Sequence, residues 1–186
     1  MKKTLRFLPI WLLFVFLISC SGKKTEKQLT KIDSLEKIMV SLKQELMEIN
    51  KDTIENRHRI FKKTNDTIAK HIKELRNDES WKYICAYQNV NEPFESMALK
   101  YYQYKSEVDS SLKQLSDLKH DVKAKLLSNK EFDTFFQNES HSVKEVSEKV
   151  KEEIEMTEDQ MKNFDTVHPY LMKLISERKP VKKGHK

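Results

Sequence analysis

The stretch IDSLEKIMVSLKQELMEI, residues 32–49, decides the fold. Ile32, Leu35, Met39, Leu42, Leu46 and Ile49 recur at intervals of three and four. That spacing is a heptad seam, which puts one apolar stripe along an α-helix and leaves the charged residues on the other faces. The seam shifts phase near Asn50 and resumes as Ile54, Phe61, Ile68 and Leu75, with His58, Asn65 and Ile72 at the second seam position. A four-residue stutter gives such a shift and unwinds a supercoil locally without ending the helix. Asp52-x-x-Glu55 also has the form of a capping box, which would begin a new helix. The reading preferred here is one continuous helix over roughly 26–76.

Two further arms follow. Asn77-Asp78-Glu79-Ser80 reads as a turn with Ser80 as N-cap. Pro93 then lacks a backbone donor and crowds the preceding turn, so a kink or a short break is expected at Asn91-Glu92-Pro93. The second seam runs Phe94, Met97, Tyr101, Tyr104, Val108, Leu115, Leu118 and Val122. Ser128-x-x-Glu131 is a capping box ahead of Phe132. The third seam is Phe132, Phe136, Val143, Val146, Val150, Ile154, Met161 and Phe164, ending before His168-Pro169. Tyr170, Leu171, Leu174 and Ile175 suit one more short helix. Short connections favour antiparallel neighbours. The expected fold is all-α, an elongated antiparallel three-helix coiled-coil bundle, or four helices if Pro93 breaks the second arm. Its boundaries are 28–177, followed by a disordered basic tail, 178–186.

Composition agrees with long helices: 34% of the 186 residues are charged, with only 2 Gly and 4 Pro. The formal net charge of +6 is concentrated at the ends, in Lys2, Lys3 and Arg6 and in Arg178, Lys179, Lys182, Lys183 and Lys186. The body between is close to neutral, so nucleic acid is not an expected partner. A phosphate cradle needs glycines that the chain lacks, and no HExxH or GxSxG is present. Glu55-x-x-His58, Asp117-x-x-His120 and Asp165-x-x-His168 place an acid and an imidazole on one helical face. They are read as solvated surface, with His58 tolerated in the seam, and not as a metal site. No cofactor and no enzymatic activity are expected.

The N-terminus fixes the setting. Lys2, Lys3 and Arg6 precede an apolar run from Phe7 to Ile18, which is about 18 Å as a helix. A bilayer core is about 30 Å thick, so the run is too short to span it and reads as the h-region of a signal peptide. It ends in Leu17-Ile18-Ser19-Cys20, which resembles the lipobox of bacterial lipoproteins. The resemblance implies that residues 1–19 are removed and that Cys20 takes a diacylglycerol and an acyl chain such as palmitate. Residues 20–27 would then form a polar tether. Ser21 after the Cys favours outer-membrane sorting in that family. Some Bacteroidota-type lipoproteins carry an acidic run there for surface export. The basic Ser21-Gly22-Lys23-Lys24 implies instead a body facing the periplasm.

With Cys20 lipidated, Cys85 is the one remaining thiol, and it is expected to pack as a small hydrophobe. Aromatic residues crowd between 81 and 104. Trp81, Tyr83 and Tyr102 are candidate contact residues, since such rings suit interfaces with one wet side. Tyr102 lies out of seam phase and is the clearest exposed candidate. Lys182, Lys183 and Lys186 are candidates for electrostatic contact with cell-wall polymer. Lys186 also resembles the terminal Lys of the small coiled-coil lipoprotein that links outer membrane to peptidoglycan, although that family is a much shorter single helix. Asp33-Ser34-Leu35, Asp52-Thr53-Ile54, Asp66-Thr67-Ile68 and Asp165-Thr166-Val167 resemble the O-glycosylation sequon of Bacteroidota envelope proteins.

The functional expectation is a non-enzymatic, lipid-anchored cell-envelope protein with a structural or interaction role toward an envelope protein or peptidoglycan. The alternative is a holdase-like periplasmic chaperone. The sequence names no partner and no oligomeric state.

Overall fold

The computed structural model describes the backbone of residues 8–75 and 78–177, and the side chains of 23–71 and 80–177. Its elements are five helices and no strand among the described residues: α1 (Leu8–Glu48), α2 (Lys51–Leu75), α3 (Asp78–Gln88), α4 (Asn91–Lys123) and α5 (Asn129–Ser176). Every regular element among the described residues is a helix, as the seams require. It divides into two compact units. One comprises the chain up to Lys43 with 107–147, and the other comprises 44–106 with the chain from Glu148 onward. Thus α1, α4 and α5 each contribute to both.

In the first unit Ile32, Leu35, Met39 and Leu42 of α1 are buried with Val108, Leu115, Leu118 and Val122 of α4 and Phe132 and Val143 of α5. These are seam positions of all three arms. Charge fixes the register of α1 against α4. Lys43 Nζ lies 2.6 Å from Asp109 Oδ1. Lys119 Nζ lies 2.7 Å from Asp33 and 2.5 Å from Glu36. The pairs run in opposite senses along the two helices, so α1 and α4 are antiparallel. Asp33 and then Glu36 hold the Lys119 ammonium above its ordinary value of 10.5. Such half-exposed pairs contribute up to about 1 kcal/mol each, so they select register more than they stabilise.

The second unit is built around Tyr87 of α3. Leu46 and Ile49, Ile54, Phe61 and Ile68, Phe94, Met97 and Tyr104, and Val150, Ile154, Phe164 and Leu171 bury their apolar faces with it. One polar pair shares this core. The Tyr104 hydroxyl donates to Glu153 Oε2 at 3.0 Å, and Glu153 is buried with Oε1 lacking a hydrogen-bond partner.

Helix boundaries depart from the sequence reading in five places. The expected continuous helix over 26–76 is broken at Ile49–Asn50. Asn50 caps α2: the Thr53 N–H donates to Asn50 Oδ1 at 3.0 Å, and the Asn50 carbonyl accepts from Ile54 at 3.1 Å. Ile49 and Ile54, both buried, stand at the spacing of a hydrophobic staple across that cap. The stutter is therefore resolved by a capped break. Glu55 does not form the box with Asp52 but pairs with Lys51. The expected turn at 77–80 is also corrected: Asp78, Glu79 and Ser80 are helical, and Ser80 is buried within α3 instead of capping it. Asn77 lies outside the described residues.

The break beside Pro93 falls at Asn89–Val90, and Pro93 sits in the first turn of α4. A helix has no use for that residue's N–H there, so proline costs nothing. α5, in contrast, does not end before His168-Pro169 but continues through Pro169 to Ser176. Pro169 faces solvent, while Phe164, Val167 and Leu171 are buried on either side of it. Three buried anchors on one face outweigh one missing hydrogen bond on the other. Finally, α1 is helical through residues 20–27, where a tether was expected.

The turn from α4 to α5 is built without glycine. The Lys125 N–H donates to Val122 O at 3.2 Å and the Leu126 N–H to Asp121 O at 3.0 Å, with Lys125 at φ 56°. This is a Schellman motif with lysine in the left-handed position that glycine usually takes. On its far side the expected capping box forms. The Ser128 N–H donates to Glu131 Oε2 at 2.8 Å, and the Glu131 N–H donates to Ser128 Oγ at 3.3 Å.

Two substitutions test these ends. Ser128→Ala should lower unfolding free energy by about 1 kcal/mol, the usual worth of an N-cap. Lys125→Gly should raise it by up to about 1 kcal/mol by relieving the Cβ clash at positive φ. Urea titration of each against Ser116→Ala, an exposed mid-helix control, measures both.

Candidate functional site

The aromatic residues of 81–104 separate into an interior and a surface set. α3 buries Ser80, Ile84 and Tyr87 at helical spacing. Trp81 and Cys85, one turn apart on the opposite side, are exposed. The expectation of a packed Cys85 is thereby corrected. Its phase along α3, and not its apolar neighbours in sequence, sets its exposure. Tyr83 is half-buried and its ring lies on Tyr170 of α5 with centroids 4.1 Å apart. Phe94 and Tyr104 of α4 belong to the core.

Tyr102 is 66% exposed, as its phase required. It meets Tyr101 edge-on at 5.6 Å, and Lys51 Nζ lies 5.1 Å from its ring centroid. Leu99, one turn earlier, is 77% exposed. Ala98 and Leu99 of α4 line an open groove of about 380 Å³ with Glu55, His58, Arg59 and Lys62 of α2 and Glu95. His58 Nε2 is 3.2 Å from Asn91 Oδ1, so the seam histidine is tied across to the start of α4. The groove is an apolar floor between charged flanks of both signs, and it was not legible in the sequence as one place.

The structure thus puts Trp81 and Tyr83 on α3 and Tyr102 on α4, with Tyr83 against Tyr170 and Tyr102 against Tyr101. Cys20 falls within the α1 backbone, but its side chain is outside the described residues. Lys182, Lys183 and Lys186 are outside them altogether. Among the described residues no three His, Cys, Asp or Glu side chains gather as a metal-binding group. No helix of the described residues is long and apolar enough to cross a membrane.

The acid-x-x-His pairs have three different fates. Asp117 and His120 are exposed. His58 is in the groove. Asp165 and His168, read from sequence as surface, are structural. Asp165 takes a two-point contact from Arg57 at 3.1 and 2.8 Å. His168 stacks on Phe164 at 4.8 Å, and its Nδ1 is 2.9 Å from the Tyr87 hydroxyl. Burial pushes the Tyr87 hydroxyl up to about 12, partly offset by a hydrogen bond with Thr64, so Tyr87 is a proton donor at any ordinary pH. Burial also lowers the His168 pKa, against a smaller opposing effect of Asp165.

The Asp-Ser/Thr-aliphatic triplets have a helical explanation. Their third residues, Leu35, Ile54, Ile68 and Val167, are all buried. The hydroxyls of Ser34, Thr67 and Thr166 donate to carbonyls four residues earlier. The helical period alone places a small polar residue beside a core aliphatic one.

Comparison with known proteins gives no match to a family model, a curated protein or a solved structure.

The His168 contact predicts a pH dependence. The unfolded chain takes up a proton at this residue near 6.5, and the folded chain only at a lower pH. Its contribution to stability is therefore complete above 6.5 and is lost as pH falls through the folded value. The urea midpoint should drop between pH 7.5 and pH 5. His168→Gln, which keeps an acceptor for Tyr87 but does not titrate, should flatten that part of the curve.

Proposed function

We propose that this chain is a lipid-anchored cell-envelope protein without enzymatic activity, facing the periplasm from the outer membrane and offering helical surfaces to an envelope protein or to peptidoglycan. The observation that carries the reading is Leu17-Ile18-Ser19-Cys20 at the end of an apolar run of signal-peptide length. Mature attachment through Cys20 uses two or more acyl chains, enough for stable anchoring. The exposed Leu99 and Tyr102 beside a charged groove support a contact role, because scattered charge with a local apolar floor suits a protein or glycan surface better than a small substrate.

The arrangement of the arms belongs to the same proposal. A three-stranded coiled coil is supported in the first unit by the antiparallel pairing of Lys43 and Lys119 with their acids and by Lys31 Nζ lying 5.3 Å from the Phe136 ring centroid. The exposed apolar residues also favour a second reading, a holdase-like chaperone. Suppression of aggregation of an unfolded outer-membrane protein would select it.

Cys20→Ser should abolish incorporation of radiolabelled palmitate and leave the signal segment uncleaved. Palmitate entering the variant to the wild-type extent would remove the lipoprotein reading. For the basic tail, full-length protein should be retained on isolated peptidoglycan more than a truncation after Arg178. The difference should shrink with salt, because the tail offers charge and no apolar anchor.

A further inference from the structure

The α4–α5 turn of the first unit exposes an apolar side chain that its own local structure would ordinarily cover. In a Schellman motif the residue after the left-handed position commonly packs back on the last helical turn. Here that residue is Leu126, and it is 66% exposed. The turn is not loose. The Schellman pair fixes it on one side and the Ser128/Glu131 box on the other. Leu126 is held outward by a hydrogen-bonded frame.

The charge around it is mainly positive. Lys123, Lys125 and Lys130 outnumber the flanking Asp121 and Glu131, and the Glu131 carboxylate is engaged by the Ser128 N–H. The register of the first unit shows what faces them. Lys119 pairs with Asp33 and Glu36, and Lys43 with Asp109, so continuing antiparallel carries the turn toward residues 24–28 of α1. The contact of Lys31 Nζ with the Phe136 ring, 5.3 Å from its centroid, brings the first turns of α5 beside the same stretch of α1. That part of α1 adds exposed Lys23, Lys24 and Lys27 against the single acid Glu26. The first unit therefore gathers lysines of α1 and of the α4–α5 turn around an exposed leucine.

The same stretch of α1 adjoins the apolar run. Residues 24–28 follow Cys20 by about 6–12 Å of continuous helix. We propose that the turn Lys123–Lys130, with the facing lysines of α1, is a second membrane contact, which docks on anionic lipid headgroups while Leu126 enters the interface. Charge draws the tip to the surface and the fixed turn presents the leucine. The contact would set the orientation of the first unit instead of leaving it to swing from one anchor. The inference rests on the reading of the N-terminal segment as the membrane attachment.

The test uses the full chain, isolated from membranes and reconstituted into vesicles of phosphatidylcholine alone or with one-third phosphatidylglycerol. Flotation reports attachment. Hydrogen exchange read by mass spectrometry reports the amides of residues 123–130. Exchange there should slow by about threefold or more on the anionic vesicles relative to the neutral ones. The slowing should vanish in about 0.5 M salt and in K123Q/K125Q/K130Q, whose lysines are exposed and carry no core contact. Attachment with equal exchange on both vesicle types would overturn the proposal and leave the anchor standing. Failure to float on either would remove the anchor, and the proposal with it. Equal slowing by soluble heparin would overturn the choice of lipid as the partner.

Discussion

Ile32, Leu35, Met39 and Leu42 can leave water only against other helices, because a helix with one apolar stripe has nowhere else to put it. That constraint organises the whole chain. Each seam residue taken fully out of water contributes roughly 1.5–3 kcal/mol, and only about two residues in seven lie on the stripe. The polar faces must then do no harm, and they choose register through pairs such as Lys119 with Asp33 and Glu36.

The turns obey a second constraint. With 2 Gly in 186 residues, the chain must reverse direction using side chains. Asn50 supplies a cap where the seam slips phase, Ser128 and Glu131 supply a box, and Lys125 occupies a left-handed position that glycine would fill at less cost. Pro93 and Pro169 show how position decides the effect of one residue type. In a first turn proline is free. In mid-helix it is tolerated because Phe164, Val167 and Leu171 hold the helix on the buried side.

Polar groups inside the second unit are the places where helical packing and chemistry meet. Glu153 is buried beside Tyr104 and His168 is half-buried beside Tyr87, each joined to a tyrosine hydroxyl by a hydrogen bond. Neither pairing follows from neighbours in sequence, since the partners are 49 and 81 residues apart. The surface of the same unit carries the groove by Leu99 and the exposed Tyr102, so interior specificity and outward contact are built from successive turns of α4.

The sequence alone determined the helical class, the three seams, the Ser128 box and the exposure of Tyr102. All of these depend on periods of three to seven residues, which a linear pattern records directly. It also carried Leu17-Ile18-Ser19-Cys20, whose likeness to a lipobox is legible without any fold. Only the tertiary structure decided the break at Asn50, the continuation through Pro169, the exposure of Cys85, the fate of His168 and the outward Leu126. For the capped break and the mid-helix proline the two local outcomes lie within about 1–3 kcal/mol of each other. The choice between them falls to which face of the helix finds a buried partner, and that partner is supplied by a distant part of the chain.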